Sequence, residues 1–134
     1  MLKYVTDAEY QDLLDKPSIP ENFNRLVIEA SNYINMETFG RIDIKNIPKE
    51  VKYITCLIID LINNAETKKI EMGNLKSQNI EGWSETYIEP KEIDSKLNAD
   101  KYNLLEMYLW NVIGKDRKPL LYRGVLWVIF LKTQ

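Results

Sequence analysis

Residues 47–66 have the sequence IPKEVKYITCLIIDLINNAE, and this stretch decides the fold. Pro48 stands where a helix would begin, a position at which its missing N–H costs nothing. Apolar residues then recur at steps of three and four, the spacing of one helix face. They are Val51, Ile54, Ile58, Leu61, Ile62 and Ala65. With Leu57 and Ile59 on either side, the apolar arc covers about half of the helix circumference. The stretch predicts the central helix of a small bundle, contacted by at least two other helices.

Length and charge indicate one domain without a strong electrostatic preference. The chain has 134 residues, which suits a single domain with one core. Eighteen basic and twenty acidic side chains give a formal charge of −2, so no net attraction to nucleic acid or acidic membranes is expected. No run approaches the roughly 18 apolar residues of a membrane span, and no signal peptide is predicted. We expect a protein made in a cytoplasm, with a helical core over about residues 6–113 and a tail over about 119–134.

The residue types that most often act in catalysis or bind metals are scarce. The chain has no histidine and one cysteine, which excludes Ser/His, Cys/His and zinc arrangements. Cys56 falls on the more polar side of the central helix with Lys52, Asp60 and Asn63. A buried, unreactive thiol is favoured, because no second Cys and no His could activate it. We expect no catalytic residues, no metal ligands and no cofactor.

A short first helix is predicted near the N-terminus. Thr6 and Glu9 have the spacing of a capping box, and Val5 and Tyr10 that of a hydrophobic staple. Pro17 should end this helix.

A second helix is predicted over about residues 21–39, because apolar residues again recur at helical spacing. They are Phe23, Leu26, Val27, Ala30, Tyr33 and Ile34. Gly40 supplies a left-handed stop. The short loop 41–46 predicts that the second helix packs antiparallel to the central one.

After the central helix the pattern changes. Gly73 should break that helix, and residues 74–90 (NLKSQNIEGWSETYIEP) contain few helix formers. Because Trp83, Thr86, Tyr87 and Ile88 favour β structure, we expect an extended segment or a short β-hairpin.

A last helix follows, and its N-cap is either Asp94 or Asn98. Its expected buried face consists of Leu104, Leu105, Tyr108, Leu109 and Val112. Gly114 should end it, and residues 115–119 form a charged turn.

The tail, residues 120–131 (LLYRGVLWVIFL), is the most apolar run in the chain, and its composition favours a strand. It can lie inside its own fold, or Trp127 and Phe130 can form a surface for another chain. Both interpretations can hold if the first half of the tail packs within its own chain and the second half contacts a partner. Trp110 is expected at the border of the last helix's buried face, where aromatic residues are frequent in interfaces.

Four segments together resemble a known family. They are residues 34–41 (INMETFGR), 47–52 (IPKEVK), 80–87 (IEGWSETY) and 120–125 (LLYRGV). Their order and spacing, over nearly the whole chain, resemble the small head–tail connector proteins of tailed phages, also called head-completion adaptors, including the prophage YqbG-like members. The fold expected from the residues and from the resemblance is mainly α: a bundle of about four helices with a short β-hairpin or extended segment and an extended C-terminal tail.

The resemblance implies a non-enzymatic structural protein of the virion, located at the head–tail junction. Such proteins form a ring of identical copies under the portal protein, extend the DNA channel without sequence-specific DNA binding, and dock the next stopper or tail-completion protein. Together with the aromatic residues above, it implies the following interface residues: Ile80, Trp83, Tyr87, Trp110, Leu120, Tyr122, Arg123, Val125, Trp127 and Phe130.

Two other functions stay open. A small helical DNA-binding regulator would use an exposed basic helix face, but the lysines and arginines occur only in small clusters such as residues 68–69 and 115–118. A carboxylate-based cell-wall hydrolase would need two aligned acidic residues, and no signature aligns them.

Overall fold

The computed structural model describes residues 1–77 and 90–123. Within these residues the chain forms four helices, and together they confirm the mainly α bundle. They are α1 (Asp7–Leu13), α2 (Phe23–Glu37), α3 (Lys49–Ser77) and α4 (Pro90–Leu109). The predicted hairpin or extended segment falls largely on residues 78–89, outside the described part.

Helix α3 is the centre of the bundle, as predicted. It packs against α1, α2 and α4. Val51, Ile54, Ile58 and Ile59 are completely buried on it, whereas Leu61 is only half-buried. The buried face is therefore widest in the first half of the helix, where all three neighbours meet it.

The more polar side of α3 is covered as well. Cys56 lies among the polar residues of this side and is fully buried, as favoured from sequence, because α1 covers it. Two contacts place α1 there: Glu9 forms an ion pair with Lys52, and the Tyr10 hydroxyl donates a hydrogen bond to Asp60. Burial, reinforced by the nearby carboxylates, raises the pKa of the Cys56 thiol to about 12; the burial expected for this thiol is confirmed.

The start of α1 forms as its sequence predicts. The Thr6 side chain accepts a hydrogen bond from the Glu9 backbone N–H, and the Glu9 carboxylate accepts one from the Thr6 N–H. Both bonds satisfy backbone donors that a helix start leaves free. The helix ends at Leu13, before Pro17.

Helices α2 and α3 are antiparallel, as expected from the short loop between them. Arg25 near the start of α2 pairs with Glu66 far along α3 at 2.7 Å, while the end of α2 lies beside the start of α3. Gly40 has a φ of +68°, which confirms the left-handed stop, and Phe39 shares this conformation with a φ of +55°. Two successive left-handed residues reverse the chain direction.

The ends of α3 and α4 differ from the predictions. α3 continues through Gly73 to Ser77, and α4 begins at Pro90 rather than after Asp94 or Asn98. Pairing between the helices explains the difference, because α3 and α4 lie side by side and Asp94 forms an ion pair with Lys69. Tertiary contacts of this kind outweigh the weak helix preference of a single glycine.

The chain after α4 forms a turn. α4 ends at Leu109, earlier than the predicted end at Gly114. Residues 114–118 make the predicted charged turn, closed by a β-bridge between Ile113 and Pro119. Leu120 and Leu121 then turn into the core and are buried, so the predicted strand does not start there.

A charge at Ile58 tests the central position of α3. Ile58 is completely buried, so Ile58→Asp should unfold the domain, at a cost of about 4 kcal/mol or more for an unpaired buried carboxylate. Ile70→Asp on the same helix is the control, because Ile70 is 65% exposed. Circular dichroism and thermal melting measure both; a normal melting temperature for Ile58→Asp would contradict the central role of α3.

The ion pair between α2 and α3 predicts a pH effect. The hydrogen bond from Arg25 lowers the pKa of Glu66 below its usual 4.5. A carboxyl whose pKa is lower in the folded state stabilises the fold above its unfolded pKa and loses that contribution as the pH falls through the folded value. Glu66→Gln should therefore destabilise the protein slightly at pH 7 and make no difference well below pH 4.5. Urea unfolding at both pH values measures this, and because both side chains are exposed, added salt should reduce the difference at pH 7.

Candidate interaction surface

Arg41 organises the chain that follows α4. Its side chain is only 13% exposed. The guanidinium Nη1 donates hydrogen bonds to the carbonyl oxygens of Pro119, Leu120 and Tyr122, at 3.3, 3.2 and 2.6 Å. Its Nε donates to the Asp116 carboxylate at 2.9 Å. One side chain from the α2–α3 loop thus fixes the path of four residues about 80 positions later.

A second arginine lies where the described chain ends. Arg123 pairs with Glu37 at 2.8 Å, and its guanidinium lies 5.2 Å from the ring centre of Phe39 and 5.7 Å from that of Tyr102. Arg41 faces the same Phe39 ring at 5.0 Å. Cation–π contacts of this kind add modestly to packing. We call these residues, with the Tyr122 ring 5.5 Å from Arg41, the exit cluster: Glu37, Phe39, Arg41, Tyr102, Tyr122 and Arg123.

Gly114 allows the turn to lie against the α2–α3 loop. A Cβ atom at this position would be 2.7 Å from the Arg41 Cβ and 2.9 Å from the Arg41 carbonyl oxygen. That same carbonyl accepts a hydrogen bond from the Lys115 N–H at 2.9 Å. The glycine is therefore required by close approach of two backbones rather than by a left-handed conformation.

Exposed apolar side chains gather at the same end of the bundle. α2 and α4 both run antiparallel to α3, so their C-terminal ends lie together beside the start of α3. Of the ten large apolar side chains exposed in the described residues, six lie at this end. We call them the apolar end: Met36, Phe39, Ile44, Met107, Trp110 and Ile113. Exposed apolar side chains that share one end of a bundle mark a candidate binding surface.

The predicted interface residues fall into three groups. Trp110 is 51% exposed just after α4, and Tyr122 and Arg123 belong to the exit cluster. Leu120 is fully buried, so it is part of the core of its own chain and offers no surface in this structure. The remaining six lie outside the described residues: Ile80, Trp83, Tyr87, Val125, Trp127 and Phe130.

The roles of Phe39, Arg41 and Gly114 were not predicted from the sequence. Phe39 was placed at the end of a helix, Arg41 in a loop and Gly114 at a helix end. Their contacts join residues 73 to 84 positions apart, from Gly114 with Arg41 to Phe39 with Arg123, and no local pattern marks such pairs. The one usable signal was the left-handed Gly40, which places the following arginine at a chain reversal.

The described residues hold little that suggests catalysis or metal binding. No group of three or more His, Cys, Asp or Glu residues in these parts of the chain could hold a metal ion. Open grooves are present; one of about 310 Å³ lies between the N-terminal residues and α2, with Val5, Ile19 and Phe23 in its lining. Among residues 1–73 and 90–123, every buried side-chain nitrogen and oxygen has a hydrogen-bond partner.

Comparisons with protein-family models, with curated proteins and with solved structures found no match for this chain. Within residues 1–77 and 90–123, no helix combines the length and the apolar content that crossing a bilayer requires.

Replacing Gly114 tests the close approach at the turn. Gly114→Ala should destabilise the protein by about 1–3 kcal/mol, because the new methyl overlaps with the Arg41 backbone. Gly73→Ala is the matched control: nothing lies within 4 Å of its Cβ position, and a helical alanine should stabilise by about 0.5–1 kcal/mol. Urea unfolding of both variants gives the comparison, and equal stability of the two would contradict the contact.

Proposed function

We propose that this chain is a structural protein of a phage or prophage particle. Copies of it form a ring under the portal protein, extend the DNA channel and provide the docking surface for a stopper or tail-completion protein. The proposal assigns no enzymatic activity and no cofactor. Its location would be the head–tail junction of the virion.

The concentration of exposed apolar side chains at one end of the bundle carries this proposal. Trp110 and Phe39 are about half exposed there, and aromatic side chains are typical anchors of protein–protein interfaces. A helical bundle that presents such a surface is suited to contact with other polypeptides. The choice of partner comes from the resemblance in the order and spacing of the four sequence segments.

The charges near the exit cluster favour protein contact over DNA binding. Arg41 and Arg123, the two arginines beside the exposed Phe39 ring, are paired with Asp116 and Glu37. DNA binding needs cationic side chains that are free to contact phosphates. An arginine that is already paired with a carboxylate must first give up that ion pair, which weakens its binding to phosphate. The formal charge of −2 is likewise suited to a channel through which DNA must pass without adhering.

Binding to a portal tests the proposal. The chain should form rings on the portal protein from the same phage or prophage genome, visible by negative-stain electron microscopy and countable by native mass spectrometry. Removal of residues 126–134 should leave a folded helical protein that no longer binds the portal. Ile70→Glu, which changes an exposed side chain away from the apolar end, should bind normally.

Three results would contradict the proposal. The first is full-length chain that does not bind the portal at all. The second is DNA binding whose affinity falls steeply with salt, which would indicate a regulator. The third is clearing of cell walls that a single Glu→Gln substitution abolishes, which would indicate a hydrolase.

A further inference from the structure

We propose that the apolar end is the docking site for this chain's own residues 125–131. The occupant would be the segment VLWVIFL, which directly follows Gly124. The proposal concerns a surface of the described bundle and a named segment of the same chain. It concerns the free monomer; in the proposed ring the segment would leave this surface, so that the segment and the surface could both contact neighbouring chains.

The surface needs an apolar partner. Met107, Trp110 and Ile113 are 64%, 51% and 55% exposed, and Phe39 is 53% exposed at the same end. Burying a large apolar side chain that is otherwise exposed to water is favourable in proportion to the apolar area removed from water. Six such side chains, all partly uncovered, leave a substantial gain available to any apolar segment that covers them.

The segment has the matching chemistry. Residues 124–131 include no charged and no hydroxyl-bearing side chain, and the nearest charges along the chain are Arg123 and Lys132. Eight extended residues span about 26 Å, whereas packed helices lie about 8–10 Å apart. The segment is therefore long enough to cross the end of more than one helix.

The position of Arg123 favours docking within one chain. Arg123 contacts Glu37, Phe39 and Tyr102, so the segment starts beside a residue of the apolar end itself. A group tethered next to its binding surface has an effective concentration in the millimolar range. A second copy at micromolar concentration competes poorly with such a tether.

Fluorescence of Trp127 tests the proposal. With Trp83→Phe and Trp110→Phe, Trp127 is the only tryptophan left in the chain. Its quenching constant with acrylamide should be several-fold lower in the monomer than in a free peptide of residues 124–134. Adding Met107→Glu and Ile113→Glu should raise the constant towards that of the peptide.

The matched control is Ile70→Glu, which places the same charge on an exposed isoleucine remote from the apolar end. It should leave the quenching constant unchanged. If the double variant loses its helical circular dichroism, Ile113→Glu alone gives the comparison. Sedimentation at each concentration used verifies that the protein is a monomer.

Three outcomes would overturn the proposal. If the quenching constant of Trp127 equals that of the free peptide, the segment does not dock. If Trp127 is shielded from acrylamide and neither Ile113→Glu nor Ile70→Glu changes its quenching constant, the segment docks somewhere other than the apolar end. Shielding that is seen only in dimers or larger species would make a second copy the occupant. A failed portal assay would leave this result unaffected, so the two proposals can fail separately.

Discussion

The structure depends on burying the first half of α3. Four fully buried residues in this half point in different directions around the helix axis: Ile54, Cys56, Ile58 and Ile59. One partner helix can cover only about a third of a helix circumference, so this segment must be enclosed by several neighbours. Helices α1, α2 and α4 provide that enclosure. Their directions relative to α3 determine which helix ends lie together.

Helices with regular apolar spacing could be predicted from sequence alone. Phe23, Leu26, Val27 and Ile34 repeat at helical steps, and the capping box at Thr6 is a complete local signal. These features need only neighbouring residues to form. The mainly α bundle and the central role of α3 followed from them.

Features that depend on distant residues could not be predicted in the same way. The side of α3 that carries Lys52 and Asp60 looks half polar, and it is covered because Glu9 and Tyr10 of α1 bring partners for these two residues. Gly73 stays helical because α4 runs beside α3. Polar residues on a helix face do not mark that face as exposed when their partners come from another helix.

The same reason explains the candidate surface. Trp110 was identified from sequence because it borders a regular apolar stripe, whereas Arg41 gave no local signal for its bonds to three carbonyl oxygens beyond Lys118. The two N–H groups of Nη1 are shared among these three carbonyls, while the Nε–H donates to Asp116. A loop arginine of this kind substitutes for the sheet or helix partners that an irregular segment lacks.

Burial of Leu120 and Leu121 has a consequence for how the protein is made. These two residues, which are 0% and 2% exposed, belong to the same core as Tyr4 and Val5 but leave the ribosome last among them. The core therefore remains incomplete while all four helices are synthesised. It is completed only after residue 121 has cleared the exit tunnel, and until then the helices pair without Leu120 and Leu121.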